Sequence, residues 1–329
     1  MKLLAPAAAA LALALALAGC ANPDNAEQPA AAPSASGSAF PATVATKFGD
    51  VTVDAAPTRV LALGWGDAET ALALGVQPVG ASDWLQFGGE GVGPWASGRY
   101  DTAPEIIGTL EPSYEAIAAL DPDLILDTKS SGDQKRYDRL SAIAPTVGVP
   151  EGGDSYLTTG EQQLTMVATA LGRTAEATAL QEGLDRAFAD ARTAHPDWAG
   201  KTVTAATKTS EGWGAYIEGS ERVQFLQDLG FVQNPQIAAL DTSATGFTVS
   251  ISTEQLDLVD ADLVVAFPIF IDSSELTGDR FFERVPAVAD GRSLVIDGDL
   301  ASAYSLGTVL AQQYALENLV PRIDETLRR

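Results

Sequence analysis

Short apolar runs that alternate with helical stretches are the feature that most constrains the fold of this 329-residue chain. In the first half, residues 59–63, 78–81, 124–126 and 146–149 have the pattern of buried strands, and helical segments separate them. This alternation is typical of parallel βα units, because a crossover helix returns the chain to the same end of the sheet. We therefore predict an α/β lobe in this part of the chain.

A second set of the same elements follows in the other half of the chain. The predicted strands are 202–207, 263–267 and 293–296, and the predicted helices lie near 221–229, 252–258 and 306–327. A chain of this length is long enough to divide its core between two lobes. We therefore predict a second α/β lobe.

Residues 158–195 carry a long helical pattern between the two α/β segments. Its apolar positions are Leu164, Val167, Leu171, Ala175, Leu180, Leu184 and Phe188, and Pro196 ends it. At 1.5 Å per residue, a helix of some 30 residues spans about 45 Å, which is more than one small lobe requires. We predict a single helix that bridges the lobes, with Gly172 as a position where it could kink.

Two segments, one in each half, resemble each other. In residues 112–126 and 253–265 a glutamate, Glu115 or Glu254, opens a short helix; aspartates stand six and eight residues later, and an apolar strand begins. Many βα folds repeat such units by chance, but the equal offsets favour two related lobes.

The N-terminal segment has the pattern of an export signal. Residues 2–18 consist of one lysine and an apolar run, which is shorter than the roughly 20 residues of a spanning helix. Leu17-Ala18-Gly19-Cys20 resembles the lipobox of bacterial lipoproteins, in which the cysteine is acylated and becomes the mature N-terminus. We predict a signal peptide over 1–19, a lipid on Cys20 and a flexible linker over 20–39; an ordinary signal peptide with an incidental cysteine is the alternative.

Composition argues against several classes of function. Acidic residues outnumber basic ones 44 to 20, and the net charge of −24 disfavours a nucleic-acid partner. Cys20 is the only cysteine and His195 the only histidine. Without a Gly-x-Ser-x-Gly elbow or several histidines, we expect neither catalysis, nor a protein-ligated metal, nor a cofactor. An extracytoplasmic enzyme with paired carboxylates remains an alternative.

Three stretches carry a resemblance to a known family. RVLALGWGDAETALALGVQPVG (59–80), IGTLEPSYEAIAALDPDLIL (107–126) and SLGTVLAQQYALENLV (305–320) resemble the iron–siderophore binding lipoproteins of ABC importers. The resemblance implies two Rossmann-like lobes joined by one long helix, with the ligand in the cleft between them. The expected boundaries are 40–157 for the first lobe, 158–195 for the bridging helix and 196–329 for the second lobe.

The resemblance also implies a function and its partners. The chain is expected to be a monomer, anchored to the extracytoplasmic face of the cell membrane, that captures a ferric siderophore and delivers it to the permease. Glu115 and Glu254 match the two family glutamates that dock onto permease arginines, although each could simply stabilise a helix N-terminus. Haem, with Tyr304 or another tyrosine as the axial ligand, and a corrinoid are the alternative cargoes.

Ligands of open α/β sheets bind beyond the carboxyl ends of the strands, so we expect ligand-binding residues where the predicted strands end. Aromatic or basic residues stand at or near these ends: Trp65, Trp84, Lys129, Lys208, Trp213, Tyr216, Phe267, Phe270 and Tyr304. Arg99 and Tyr100 form a separate candidate pair, and Arg222 and Arg136 are further basic candidates that could instead lie on helix surfaces. Each aromatic could instead belong to a core. The acidic background favours a neutral or cationic hydroxamate-type complex over an anionic catecholate complex.

Overall fold

The structure is a computed structural model that describes residues 39–153, 156–240 and 247–328. The predicted signal peptide (1–19), the lipid on Cys20 and all of the predicted linker except Ala39 lie outside the described residues. None of the helices within the described ranges is long and apolar enough to cross a membrane.

The first lobe begins with a hairpin and continues with alternating strands and helices. Its elements are β1 (Ala42–Thr46), β2 (Gly49–Val53), β3 (Val60–Ala62), α1 (Asp67–Ala73), β4 (Gly80–Ser82), β5 (Glu105–Ile107), α2 (Tyr114–Ala119), β6 (Leu124–Leu126), α3 (Gln134–Ser141) and β7 (Thr146–Val147). The order β5-β4-β3-β6-β7 forms a parallel sheet. Such all-parallel sheets are covered by helices on both faces.

Alternate residues of the strands supply the two faces of this sheet. Val60 and Leu124 pack into one apolar cluster, whereas their neighbours Leu61 and Ile125 pack into another. This division follows from the two-residue period of a strand, and it explains why the runs read as continuously apolar in the sequence.

The segment between the lobes contains two helices rather than the one predicted: α4 (Gly160–Leu171) and α5 (Thr174–Ala194). The interruption has a local cause, since Gly172 adopts φ 66° and ends α4 in the left-handed conformation. Glycine adopts this conformation more readily than residues with a Cβ. A kink foreseen at Gly172 is therefore a full break, and α5, about 30 Å long at 1.5 Å per residue, spans the lobes alone. Leu180 of α5 contacts the apolar clusters of both lobes.

The second lobe has a mixed sheet. Its elements are β8 (Thr202–Thr209), β9 (Gly212–Tyr216), α6 (Glu221–Asp228), β10 (Val232–Gln233), α7 (Pro235–Ala238), β11 (Thr248–Ile251), β12 (Leu263–Pro268), α8 (Ser274–Thr277), α9 (Pro286–Ala289), β13 (Ser293–Val295), α10 (Gly298–Leu306) and α11 (Val309–Leu327). β8, β12 and β13 are parallel, and β10 adds to β8 in parallel. β9 pairs antiparallel with β8, and β11 pairs antiparallel with β9.

The sequence repeat corresponds to a repeated structural contact. Asp123 precedes β6, and its carboxylate accepts hydrogen bonds from the backbone N–H and hydroxyl of Thr58, each at 2.7 Å. Asp262 precedes β12, and its carboxylate accepts hydrogen bonds from the backbone N–H and the hydroxyl of Thr202, at 2.7 and 2.9 Å. In each lobe, the second aspartate of the motif thus ties its own strand to the start of the neighbouring strand.

The lobes also contact each other beneath the cleft. The Thr308 hydroxyl, at the start of α11, donates to Glu69 Oε2 of α1 at 2.8 Å. Lys129 Nζ donates to the Leu306 carbonyl at 3.3 Å. These groups are buried, so the lobes share polar contacts in addition to α5.

Candidate ligand-binding cleft

A cavity of about 790 Å³ lies between the lobes, at the carboxyl ends of strands from both sheets. It is lined by Trp65, Trp84, Leu85, Leu110, Tyr156, Tyr216, Arg222, Phe247, Phe267, Pro268, Ile269, Phe270, Ile271, Asp272, Ser273, Asp297, Gly298, Ala301, Ser302 and Ser305. Its size and aromatic lining are typical of small-molecule sites, and its position is the one that the sheet topology favours.

Six of the residues selected from the sequence line this cavity: Trp65, Trp84, Tyr216, Arg222, Phe267 and Phe270. Trp65 and Trp84 follow β3 and β4, while Phe267 and Phe270 lie at the end of β12 and just beyond it. The structure brings these six together, and a role in ligand contact remains a prediction for each.

Arg222 supplies a buried cation to the cavity. It lies in the first turn of α6, which Ser220 caps by accepting a hydrogen bond from Val223 N. The guanidinium carbon lies 4.3 Å from the centroid of the Tyr216 ring and 5.8 Å from that of Phe267. Desolvated stacking of this kind holds a guanidinium in place without neutralising it.

Two donors of the lining have no hydrogen-bond partner among the described residues, although both are buried: Arg222 Nε and Trp65 Nε1. A buried donor without a partner costs free energy, about 1–3 kcal/mol. Both residues line the cavity, and the Arg222 guanidinium lies 5.7 Å from the Trp65 ring centroid. Oxygen atoms of a bound ligand could accept hydrogen bonds from these two donors.

The aromatic wall of the first lobe is fixed by hydrogen bonds to the backbone. Trp84 Nε1 donates to the Leu63 carbonyl at 2.9 Å, and its ring meets Tyr156 edge-on with centroids 5.3 Å apart. Tyr156 has φ 65° although it is not glycine, and its N–H donates to the Ser130 carbonyl at 2.9 Å. Strained backbone of this kind concentrates at binding sites.

Lys129 lies behind the wall rather than on the main cavity. Its Nζ lies 5.3 Å from the Trp65 centroid and 3.9 Å from Glu221 Oε1 of the other lobe. Burial lowers the pKa of Lys129, and the Glu221 carboxylate opposes that shift. The lysine lines only a small adjoining cavity of about 40 Å³. Its position is that of an interlobe contact.

Lys208 and Trp213 lie outside the cavity, contrary to the prediction. Trp213 is not in a loop but on β9, where it is buried and stacks on Phe282 at 4.7 Å between centroids. Lys208 Nζ and Trp213 Nε1 both donate to Asp279 Oδ2, at 2.8 and 3.0 Å. Burial opposes ionisation of Asp279, but these hydrogen bonds prevail and lower its pKa to about 2.

Four further candidates are also placed away from the cavity. Arg99 is exposed, and Tyr100 is buried in the apolar core. Arg136 is held by Asp127, at 2.8 Å, and by the Thr109 carbonyl. The Tyr304 hydroxyl is buried and donates to the Arg222 carbonyl at 2.6 Å. It therefore supports the backbone of Arg222 and is not free to ligate haem iron.

The residues that the sequence did not reveal come from irregular segments. Tyr156 and Leu110 follow no predicted strand closely, and Phe247 stands beside a strand that was not predicted. Asp297, in contrast, directly follows the predicted strand 293–296, and ligands of such sheets bind beyond the carboxyl ends of strands, so its position in the sequence could have identified it.

A second cavity, of about 470 Å³, is formed by helices α4, α5, α6 and α11 rather than by strand ends. Its lining includes Glu161, Asp185, Asp228 and Gln312. Within 39–153, 156–240 and 247–328, no group of three or more His, Cys, Asp or Glu side chains could hold a metal ion.

Glu115 and Glu254 occupy equivalent places in the two lobes. Both are exposed in the first turn of a short helix, α2 for Glu115 and the 3-10 helix Thr253–Val259 for Glu254. Neither lines the interlobe cavity. A docking role for the pair remains a prediction.

Two α/β lobes, one spanning helix and an interlobe cavity with an aromatic wall define a solute-binding protein. The chain belongs to the periplasmic binding protein family, whose profile matches residues 60–300.

Relatives of known sequence and structure agree with this assignment. The chain is 28% identical over 281 residues to the probable siderophore-binding lipoprotein YfiY of Bacillus subtilis (strain 168), covering 81% of this chain and 82% of that protein. A periplasmic solute binding protein of Mycobacterium smegmatis superposes with a TM-score of 0.74 at 26% identity, over 87% of this chain and 98% of that one. The iron uptake ABC transporter substrate-binding protein PiaA of Streptococcus pneumoniae TIGR4 superposes with a TM-score of 0.72 at 25% identity, over 87% and 99%.

Proposed function

We propose that this protein captures a ferric siderophore outside the cytoplasm and delivers it to the permease of an ABC importer. The names of the Bacillus and pneumococcal relatives, a siderophore-binding lipoprotein and an iron-uptake substrate-binding protein, support this cargo. A lipid on Cys20 would hold the protein at the membrane, and the protein would act there as a monomer. It binds its cargo without transforming it.

The observation that carries the proposal is the pair of unpartnered donors, Arg222 Nε and Trp65 Nε1, within an aromatic cavity of about 790 Å³. A ferric siderophore already surrounds its iron with oxygen atoms, so the protein needs no metal ligands of its own. Those oxygens accept hydrogen bonds from the two donors, while the aromatic wall packs against the organic framework.

Delivery would depend on Glu115 and Glu254. Each lobe presents one of these exposed carboxylates, and two separated charges can fix the orientation of a protein on a complementary partner and accelerate encounter. Permease arginines are the expected complement. The lipid anchor would add to this effect by confining the protein close to the permease.

Tryptophan fluorescence tests the proposal, because Trp65 and Trp84 line the cavity. The purified protein is titrated with a hydroxamate, a catecholate and a citrate-type ferric siderophore, with haem and with a corrinoid. Saturable sub-micromolar quenching by one ferric siderophore is expected, and Trp84→Phe should reduce its amplitude. Trp213→Phe, outside the cavity, serves as the control and should retain the ligand-dependent quenching. Quenching by haem or the corrinoid alone, or by none of the panel, would contradict the proposed cargo.

A further inference from the structure

We propose that the cargo is an amphiphilic chelate, whose apolar substituent binds an apolar rim formed by Leu110, Ile269, Phe270 and Ile271 at the mouth of the cleft. The inference rests on the proposed function and narrows it to siderophores that carry an aliphatic or aromatic group.

Two strongly exposed apolar side chains, Leu110 and Phe270, lie at this mouth, whereas Ile269 and Ile271 beside them are half-buried and pack partly on apolar clusters. Phe270 and Leu110 are 87% and 71% exposed, the two highest values among the large hydrophobic residues of the described chain, and both line the cavity. They come from different lobes, Leu110 from the segment after β5 and Phe270 from the segment after β12. Exposed apolar surface on both sides of a binding cleft indicates an apolar ligand group that covers it.

The backbone of Phe270 adds an independent observation. Its φ is 56°, in the left-handed region that glycine or asparagine adopts far more readily than phenylalanine. The neighbouring residues are held on both sides, by the hydrogen bond from Ile269 N to the Lys208 carbonyl at 2.9 Å and from Ser274 N to Asp272 Oδ1 at 2.8 Å. An unfavourable conformation is thus maintained at a residue whose ring faces solvent, as is typical of ligand-contacting segments.

The cavity floor has the opposite character. Arg222 and the ring of Phe267 are buried there, and Arg222 Nε and Trp65 Nε1 are buried donors without a hydrogen-bond partner among the described residues. The cavity therefore changes from a polar floor that can hold chelate oxygens to an apolar rim. A ligand that carries chelate oxygens at one end and an apolar group at the other matches this change from floor to rim.

The charges of the lining limit the iron-binding part of that ligand. Among the described residues the lining holds one cation, Arg222, and two carboxylates, Asp272 and Asp297, a balance of one minus two, or −1. A chelate with several negative charges would meet one guanidinium and two repelling carboxylates. An uncharged or weakly charged chelate, such as a trihydroxamate complex, fits this lining.

The test uses two probes that share one iron-binding group: N-acetyl ferrioxamine B and N-octanoyl ferrioxamine B. Burial of several methylene groups on the rim should make the octanoyl probe bind at least about tenfold more tightly. Leu110→Asn and Phe270→Asn should bring the ratio of the two affinities close to one, whatever each does to the affinity for the acetyl probe alone. Asparagine tolerates the left-handed conformation at position 270, so the second variant removes the ring with little change in backbone strain.

Val232→Asn provides the matched control, because Val232 is exposed but does not line the cavity. It should retain the full preference, and thermal unfolding verifies that all variants are folded. Equal affinity of the wild type for the two probes overturns the rim proposal and leaves the proposed function intact. A preference that survives both rim substitutions overturns it as well. If the rim variants still prefer the octanoyl probe but no longer support uptake, the rim contacts the permease rather than the ligand.

If neither probe binds, the rim proposal also fails. The fluorescence panel then decides whether the function fails with it, since another ferric siderophore in that panel could still bind. The two failures are therefore distinguishable.

Discussion

The guanidinium of Arg222 lies 4.3 Å from the centroid of the Tyr216 ring, and the Arg222 Nε donor has no partner among the described residues. Burial raises the pKa of the Tyr216 hydroxyl, and the nearby Arg222 charge opposes that shift. The stack therefore presents a fixed cation at the cavity, and its buried Nε donor is unpartnered. We therefore expect an oxygen atom of the ligand to accept a hydrogen bond from Arg222 Nε.

Arg222→Met should weaken binding of the cargo by about 10- to 100-fold, because a hydrogen bond to a charged group contributes about 1.5–3 kcal/mol. The measurement is a fluorescence titration with the siderophore that binds the wild type. Arg280→Met is the control, since Arg280 also stacks on an aromatic ring, Phe281 at 4.9 Å, but lies outside the cavity. An unchanged dissociation constant for Arg222→Met would exclude a direct contact with the ligand.

Glu115→Ala combined with Glu254→Ala should abolish uptake while leaving siderophore affinity unchanged, because both carboxylates are exposed and outside the cavity. Uptake of radiolabelled iron by cells that express the variant is the measurement, with its surface level determined by immunoblot. The control combines Glu161→Ala with Glu283→Ala, two exposed glutamates in the first turns of other helices. Normal uptake by the first double variant would exclude the docking role.

Asp279 should make the stability of the protein fall at acid pH. Its pKa is lowered from 3.8 to about 2, so its contribution is fully present above pH 3.8 and is lost as the pH falls towards 2. Asp279→Asn should therefore be less stable than the wild type at pH 6, and the difference should shrink between pH 4 and pH 2. Chemical denaturation across this range measures it. A constant difference between Asp279→Asn and the wild type across this range would refute the assignment.

Gly160→Ala and Gly183→Ala should change stability in opposite directions. A Cβ at Gly160 would lie 2.0 Å from the Gly307 carbonyl oxygen, so the start of α4 would have to move away from the second lobe. A Cβ at Gly183, in the middle of α5, would meet only the end of Arg186 at 4.0 Å. We expect Gly160→Ala to destabilise by more than about 1 kcal/mol and Gly183→Ala to stabilise by about 0.4–1 kcal/mol, measured by denaturant unfolding. A stabilising Gly160→Ala would contradict the close approach of the lobes.

The parts of the fold that the sequence predicted depend on local pattern. Strands such as β3, β6 and β12 are buried on both faces and therefore read as continuous apolar runs. Trp65 and Phe267 were found by the same reasoning, because topology brings the ends of parallel strands together. The boundaries proposed for the lobes, near residues 157 and 196, remain predictions.

Other features depend on contacts between residues distant in sequence. Trp213 is flanked by Gly212 and Gly214, a pattern that predicts a loop. Pairing with β8 and β11 makes this segment the strand β9. The partner that takes Lys208 out of the cleft, Asp279, is 71 residues away. Gly172 illustrates a third case, since whether a glycine bends a helix or ends it depends on the backbone conformation that its surroundings impose.

The hydrogen bond from Thr308 to Glu69 and that from Lys129 to the Leu306 carbonyl have a consequence for how cargo enters and leaves. A wide rotation of the lobes would separate both pairs and leave their buried polar groups without hydrogen-bond partners. Each such loss costs about 1–3 kcal/mol if the groups stay desolvated. We therefore expect exchange of cargo to proceed through the mouth of the cleft, with the interlobe angle nearly constant between the empty and loaded states.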